Sequence, residues 1–341
     1  MDNNQIKNEE NTLSKITIST SKSKTIYGTL GNKYILISKI GKGLSSNVFS
    51  AKKKDSTSRK IQFAIKICKK KYDQKMFIEE GHIHKKLPNS PYLIKYIDSK
   101  KDILTKSKNQ KQKQVIYHIF EYCENGTLSN YINLEKNIKG FGEIIGRIIF
   151  KQILNSIELI HKNGFGHQDI KLDNILISSN FNFKLSDFGF AKEIFPNGNN
   201  QFTFSHYGTN GYFPPEIYIN RNIDPIKSDI FALGVSLFII VSGVKPFNSS
   251  KRNDNLYKKI WRKNYDSYWN EFSHCELSKS FKDFIMKFFV LNINERIKNI
   301  EEIKNEKWIN EGKMGFEYER ELLRMEMEKR KKIFDAMKEY C

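Results

Sequence analysis

Cysteine is scarce in this chain, and very long apolar runs are lacking. The four cysteines, Cys68, Cys123, Cys275 and Cys341, follow no CxxC or Cys/His spacing. This pattern argues against a disulfide framework and against a zinc site. The longest apolar run, residues 230–244, is shorter than the ~18 residues of a membrane-spanning helix, so we interpret it as a buried core helix. No apolar stretch opens the chain, and we therefore expect no secretory signal and a cytoplasmic or nuclear location.

Acidic residues are too few to balance the basic ones. The chain has 58 Lys and Arg against 38 Asp and Glu, which gives a net charge of +20. Such an excess can indicate binding to nucleic acid or to an anionic membrane. The lysines are spread widely, however, without the interleaved aromatic residues of a nucleic-acid surface. We therefore expect no membrane contact and treat nucleic-acid binding as an unlikely third function class.

The order of predicted elements divides the chain into four parts. Residues 1–33 are polar and without periodicity, which predicts a disordered arm. Residues 34–122 contain strand patterns and one helical pattern, interrupted by the polar, lysine-rich stretch 101–114, for which we expect a mobile loop. Residues 123–312 are mainly helical, and residues 313–341 form a charged helix. The predicted fold class is α+β, with two lobes and a cleft between them.

Three motifs carry chemistry when they are considered on their own. In "IGKGLSSNVFSA", Gly41 and Gly43 allow backbone N–H groups to approach phosphate oxygens, although ordinary turn glycines are an equally good interpretation. In "FAIK", Lys66 is either an edge residue whose ammonium reaches solvent or a phosphate ligand. The following helical pattern offers Glu80 as an ionic partner for Lys66. Glu79 is the rival, but Glu80 has the better inward spacing.

The third motif is "HQDIKLDN". Asp169 can accept a proton from a hydroxyl nucleophile, and Lys171 can neutralise a transferring phosphoryl group. Asn174 can give a metal ion an oxygen ligand. A polar loop capping a helix is the alternative interpretation. It is weakened by "LSDFGFA", where Asp187 ends a short strand and supplies a second oxygen ligand.

Taken together, these motifs resemble those of a eukaryotic protein kinase domain over residues 34–312. The order "GKGLSSNV", "FAIK", "HQDIKLDN", "DFG" and "GTNGYFPPE" is specific, because five motifs in sequence are far stronger than any one of them. The resemblance implies a two-lobed protein kinase fold, with a small antiparallel sheet and one main helix in the first lobe. It also implies a larger, mainly helical second lobe, with ATP in the cleft.

The same resemblance implies roles for individual residues. The nucleotide-binding residues would be Ile40, Gly41, Gly43, Val48, Ala64, Lys66, Phe120, Glu121, Cys123 and Leu176. The catalytic residues would be Asp169, Lys171, Lys66 and Glu80. The metal ligands would be Asn174 and Asp187, and the implied cofactors are ATP and Mg²⁺. Asp229 resembles the anchor beneath the catalytic loop, and Glu216 with Arg296 resembles the buried ion pair of the large lobe.

Lys171 and Thr209 are similar to the Ser/Thr branch of the family, with protein substrates that carry Ser or Thr acceptors. "VSGVKPF" and Trp308 resemble the calcium/calmodulin-dependent group and its relatives. The chain departs from the family at five positions: Ser46, His84, Gln168, Pro214 and Phe231. The alternative function is therefore a catalytically weak, kinase-like scaffold that binds nucleotide and partners. For His84, we expect a neutral imidazole stacked on Tyr96 rather than a pH switch.

The C-terminal segment has a narrow apolar stripe at helical spacing, formed by Phe316, Leu323, Met327, Phe334 and Cys341. Two interpretations remain open. One is a helix packed on the large lobe, and the other is a helix that acts in autoinhibition or binds a helical partner.

Overall fold

The computed structural model describes residues 26–43, 45–58, 60–69, 74–132, 139–194, 202–203, 209–219 and 222–339. It confirms the two-lobed α+β fold. The described elements of the small lobe are β1 (Gly28–Leu30), β2 (Tyr34–Lys42), β3 (Ser46–Lys53), β4 (Phe63–Cys68), α1 (Gln74–Lys86), β5 (Tyr96–Lys106) and β6 (Gln112–Glu121).

The small-lobe strands close into an antiparallel barrel in the order β1-β2-β3-β4-β6-β5. Alternate residues of each strand face the inside, where fully buried side chains such as Leu36, Ile65 and Ile119 form the core. Helix α1 lies against this sheet through Phe77, which stacks on His118 of β6, whereas its buried Ile83 packs into the core of the large lobe. Burying these apolar faces is the main stabilising contribution to the lobe.

Two expectations for the small lobe were wrong. Residues 28–30, assigned to the disordered arm, form β1, which pairs with both β2 and β5 and so closes the barrel. A three-residue strand is too short to give a periodic pattern. The stretch 101–114, expected to be a mobile loop, is mostly strand, because β5 and β6 pair from Tyr96↔Phe120 to Thr105↔Gln112. Residues 1–25 lie outside the described part of the chain.

The described elements of the large lobe, in chain order, are α2 (Gly142–Lys162), β7 (Phe165–Gly166), β8 (Ile175–Ile177), β9 (Phe183–Leu185), β10 (Lys192–Glu193), β11 (Phe202–Thr203), β12 (Asn222–Ile223), α3 (Pro225–Ser242), α4 (Tyr257–Trp261), α5 (Tyr265–Asn270), α6 (Lys279–Phe289), α7 (Ile300–Asn305), α8 (Lys307–Asn310) and α9 (Phe316–Glu339). Short 3₁₀ turns, Leu128–Tyr131, Leu172–Asn174, Pro215–Tyr218 and Ser273–Cys275, lie between them.

Helix α3 is the centre of the large lobe. It begins at an Asp224 cap, whose carboxylate accepts hydrogen bonds from the N–H groups of Ile226 and Lys227, and it ends at Gly243 with φ of 79°. Its length and apolar composition would allow it to cross a membrane, but 83% of its apolar window is buried inside the protein. It is the core helix that the sequence predicts.

Helix α9 packs along the large lobe. Leu323 and Met327 are buried against it, whereas Phe316, which belongs to the predicted stripe, is 74% exposed. Phe316 is the first residue of the helix, where the stripe has no surface of the lobe to cover. Cys341 lies outside the described residues.

The guanidinium of Arg330 makes the most extensive polar contact of α9. It donates hydrogen bonds to the carbonyl oxygens of Tyr131, Lys139 and Gly140 at 2.8–2.9 Å. It also lies 3.8 Å from the ring centroid of Phe141. Arg330 therefore links the residues that precede segment 133–138 to those that follow it.

Candidate active site

The glycine-rich turn joins β2 to β3. Gly41 pairs with Val48 across the two strands, and a Cβ on Gly41 would lie 3.3 Å from the Val48 Cβ atom. The N–H of Gly43 donates to the Ser46 carbonyl at 3.0 Å, which closes the turn. Ser46, in place of the third glycine, is buried. Ile40 is 47% exposed, so its side chain is open to a ligand.

Lys66 on β4 is the centre of an ionic cluster between the two lobes. Its ammonium donates to both carboxylate oxygens of Glu80 on α1, at 2.6 and 2.7 Å, and to Asp187 Oδ1 at 2.8 Å. Glu79 is exposed. The helix period therefore selects Glu80 as the partner of Lys66, as the spacing predicts, and the cluster ties α1 to the start of the "DFG" loop.

The charges of this cluster follow from its surroundings. Burial lowers the pKa of Lys66, but the carboxylates of Asp187 and Glu80 outweigh this effect, and the pKa is raised overall. Burial raises the pKa of Asp187, but attraction to Lys66 is stronger and brings it to about 2. Both groups are therefore charged at neutral pH, so that the ammonium suits an anionic phosphate and the carboxylate suits a cation.

Four of the predicted nucleotide-binding residues belong to one apolar cluster between the two lobes. Phe120, Cys123 and Ile94 are buried there, and Ala64 and Leu176 pack against them from the small and large lobes. The carboxylate of Glu121 is engaged elsewhere, since it accepts from Lys184 Nζ at 2.7 Å and from the Lys95 N–H at 2.8 Å. A ligand would therefore meet the backbone of Glu121 rather than its side chain.

The catalytic loop brings four polar side chains together. The carboxylate of Asp169 accepts from Lys171 Nζ at 2.7 Å, from Asn174 Nδ2 at 2.9 Å and from Thr209 Oγ1 at 3.1 Å. Lys171 Nζ also donates to Thr209 Oγ1 at 2.6 Å. In the sequence, Thr209 serves only as a marker of the Ser/Thr branch. The structure places its hydroxyl directly on the predicted base, a contact 40 residues apart in the chain that spacing alone does not reveal.

Asp229 on α3 anchors the "HQDIKLDN" loop through its backbone. Its fully buried carboxylate accepts from the N–H groups of His167 and Gln168, at 2.7 and 2.8 Å, and contacts His161 Nε2 at 2.9 Å. Gln168 has φ of 67°, a strained value for a residue with a side chain. The two hydrogen bonds fix this conformation, and so fix the direction of the Asp169 side chain.

Aromatic rings connect the two lobes behind the ionic cluster. His84 on α1 stacks on Tyr96 with an interplanar angle of 5°, and its ring lies 4.7 Å from that of Phe188. Phe188 in turn meets His167 at 4.9 Å. Burial lowers the pKa of His84 to about 3, so the imidazole is neutral as the sequence predicts. Phe188, which the sequence analysis did not single out, is thus the ring that links His84 of the small lobe to His167 of the large lobe.

Glu216 and Arg296 form the predicted buried pair, with two N–H···O contacts of 2.7 and 2.8 Å. The guanidinium also lies 5.2 Å from the ring centroid of Phe231. Phe231, where the family usually has Trp, still supplies an aromatic face for the cation.

The residues implied for metal binding fit a hard divalent cation. Asn174 uses its amide nitrogen for Asp169, and within the described chain no donor hydrogen-bonds its Oδ1 atom. Asp187 is a charged carboxylate. Oxygen ligands of these two types are those that Mg²⁺ and similar ions prefer. The neighbouring Gly189 keeps the space open, because a Cβ there would lie 3.3 Å from Asp187 Oδ1.

Comparison with known proteins agrees with this geometry. The protein kinase domain family matches residues 34–309. Two rice relatives (Oryza sativa subsp. japonica), CBL-interacting protein kinases 26 and 11, are each 31% identical over 198 residues, which is 58% of this chain. The chain spans only 37% of the length of each relative. With the matched family covering most of the sequence and both lobes of the fold, this chain belongs to the protein kinase domain family.

Proposed function

We propose that this chain is an ATP-dependent protein serine/threonine kinase. One observation carries the proposal: the Lys66–Glu80–Asp187 cluster and the Asp169–Lys171–Thr209 network are both fully assembled around the same cleft. A kinase-like scaffold would not need to keep both sets of contacts. The curated relatives, which are named as protein kinases, support the proposal.

Each side chain has a task in phosphoryl transfer, which depends mostly on positioning and charge. The carboxylate of Asp169 accepts the proton of the substrate hydroxyl and orients its oxygen. The Lys171 ammonium, 2.7 Å from that carboxylate, offsets negative charge on the transferring group. Lys66 holds the α- and β-phosphates while Glu80 fixes its ammonium.

The metal part of the proposal is specific to Mg²⁺. Asn174 Oδ1 and the Asp187 carboxylate would hold the ion, which supplies positive charge to the phosphate oxygens. The chain's own contribution is to keep both ligands in place. Asn174 is held by its two bonds to Asp169, and Asp187 is held by Lys66.

Transfer of labelled γ-phosphate to a generic basic protein tests the proposal. We expect wild type to label serine and threonine in the presence of Mg²⁺, and Asp169→Asn to lose at least ~100-fold of that rate, because a general base contributes roughly 10²–10⁴-fold. Asp169→Asn should still bind ATP, as measured by the rise in melting temperature when ATP is added. Equal labelling by both proteins would overturn the enzyme proposal and leave the scaffold or another function.

A further inference from the structure

His118 on β6 lies directly behind the ionic cluster. In the strand register it is opposite Lys66 on β4 and opposite Ser99 on β5. Residues opposite each other on neighbouring strands project from the same face of a sheet. The His118 and Lys66 side chains therefore both project toward helix α1. The imidazole is completely buried.

Two contacts fix the ring to α1 and a third fixes it to β5. Its Nε2 atom lies 2.7 Å from the backbone carbonyl of Phe77, and its plane stacks on the Phe77 ring at 4.0 Å and 3°. Its Nδ1 atom lies 3.0 Å from the hydroxyl of Ser99. Phe77 is three residues before Glu80, so the anchored carbonyl is one helical turn from the carboxylate that holds Lys66.

The chemistry of these partners settles the protonation of the ring. A carbonyl oxygen only accepts hydrogen bonds, so Nε2 must carry the hydrogen. Burial lowers the pKa of His118 to about 4, so the ring is neutral and Nδ1 accepts from the Ser99 hydroxyl. Both nitrogen atoms are thus satisfied, one by the sheet and one by the helix.

Gly81 makes this close contact possible. A Cβ at position 81 would lie 2.8 Å from His118 Cε1, which is too close for any real side chain. Glycine in a helix interior is unfavourable relative to alanine. The N–H of Gly81 bonds within the helix to the same Phe77 carbonyl, which has a second lone pair for His118.

We propose that His118 is a positioning residue for phosphoryl transfer, which holds α1 in the place where Glu80 pairs with Lys66. The inference rests on the kinase activity proposed above. The ring contacts of His84 lie near the C-terminal end of α1, so the first half of the helix has little beyond the Phe77 side chain to fix its axial position by packing. The hydrogen bond from the sheet to the first half of the helix supplies that constraint.

A matched pair of variants separates hydrogen bonding from packing. His118→Leu keeps an apolar side chain in the core and removes the donor, whereas Gln in His118→Gln can place an amide N–H near the position of Nε2. We expect His118→Leu to lower kcat/KM for ATP at least tenfold with the melting temperature unchanged or higher. His118→Gln should stay within threefold of wild type. If Leu is as active as wild type, or if Gln is as poor as Leu, the inference is wrong.

The route through Glu80 is tested by a double mutant. In a Glu80→Ala background, His118→Leu should change the remaining activity less than twofold, because the residue that His118 positions is already absent. A full additional tenfold loss would overturn the proposal.

Two further measurements apply if His118→Leu does not fold or if wild type is inactive. If His118→Leu does not fold, Gly81→Ala replaces it, since it retains every polar group and improves helix propensity. It should also lower activity at least tenfold, and full activity would contradict the inference. If wild type transfers no phosphate, the proposed function fails and deuterium exchange decides on His118. Exchange of the α1 amides should be faster in His118→Leu than in wild type and His118→Gln, and equal rates would overturn the role.

Discussion

At the scale of single residues, His84 is a polar side chain in an apolar contact. Its imidazole packs on Tyr96 and Phe188, where an apolar side chain could pack as well. The Nε2 atom of His84 is buried without a hydrogen-bond partner in the described structure. Leaving such an atom unsatisfied costs about 1–3 kcal/mol. His84→Leu should therefore increase the free energy of unfolding at neutral pH by about that amount and should keep the kinase active.

The same variant should change the pH dependence of stability. The pKa of His84 is 6.5 in the unfolded chain and about 3 in the folded one, so below pH 6.5 the unfolded state binds a proton that the folded state does not. Stability is therefore lost as pH falls below 6.5. Between pH 7.5 and 5.5 this group accounts for a loss of about 1.4 kcal/mol.

Denaturant unfolding at both pH values checks this. The loss should be smaller by that amount in His84→Leu, and His82→Leu, which removes an exposed imidazole from the same helix, serves as the control. Identical pH dependence in wild type and His84→Leu would contradict a neutral buried His84.

At the scale of elements, α9 is held by hydrogen bonds as well as by its apolar stripe. Arg330→Met keeps an unbranched apolar chain against Phe141 but removes the donor to three backbone carbonyls. We expect the free energy of unfolding to fall by about 2–4 kcal/mol, because these carbonyls lose a charged partner in a buried place.

Arg324→Met is the matched control, since Arg324 is half-exposed and its ion pairs in the described part of the chain are with Glu321 and Glu328 of its own helix. It should leave the free energy of unfolding nearly unchanged, because solvent screens an exposed ion pair. Denaturant unfolding measures both variants, and phosphotransfer is measured alongside. If Arg330→Met is as stable as wild type and more active, the Arg330 contact restrains activity rather than stabilising the large lobe.

The helices and strands also show which parts of the fold and the site could be predicted from the sequence. The apolar run 230–244, expected to be a core helix, lies mostly within α3. The residues that gather around Lys66 and Asp169 were singled out because each belongs to a short local pattern. β1 was missed because three residues give no periodic pattern and because its pairing with β5 (Gly28↔Lys106) joins distant parts of the chain, which no local pattern encodes. His118 was missed for the same reason. Its role depends on a helix carbonyl 41 residues away and on the missing side chain of Gly81.

At the scale of the whole molecule, the two lobes are held in one arrangement by the Lys66–Glu80–Asp187 cluster and by the ring stack through Phe188. The side chain of Gln168, where the family usually has Arg, is already engaged, since its Nε2 donates to the Pro225 carbonyl at 2.9 Å. An Arg at this position would offer a phosphate a bidentate, charged partner, whereas Gln offers a single neutral amide.

We therefore expect activity to depend little on phosphorylation of the activation loop, the segment from Asp187 to Glu216. Phosphatase treatment, or the double variant Thr203→Ala with Ser205→Ala, should change the rate less than about tenfold, which corresponds to ~1.4 kcal/mol. Thr203 lies in β11, and Ser205 is outside the described residues. Gln168→Arg should gain phosphate dependence, because it restores a cation beside the loop. If dephosphorylated wild type loses a hundredfold of its rate, another cation must bind the phosphate, and the exposed Lys192 just after the "DFG" loop is the first to replace with Ala.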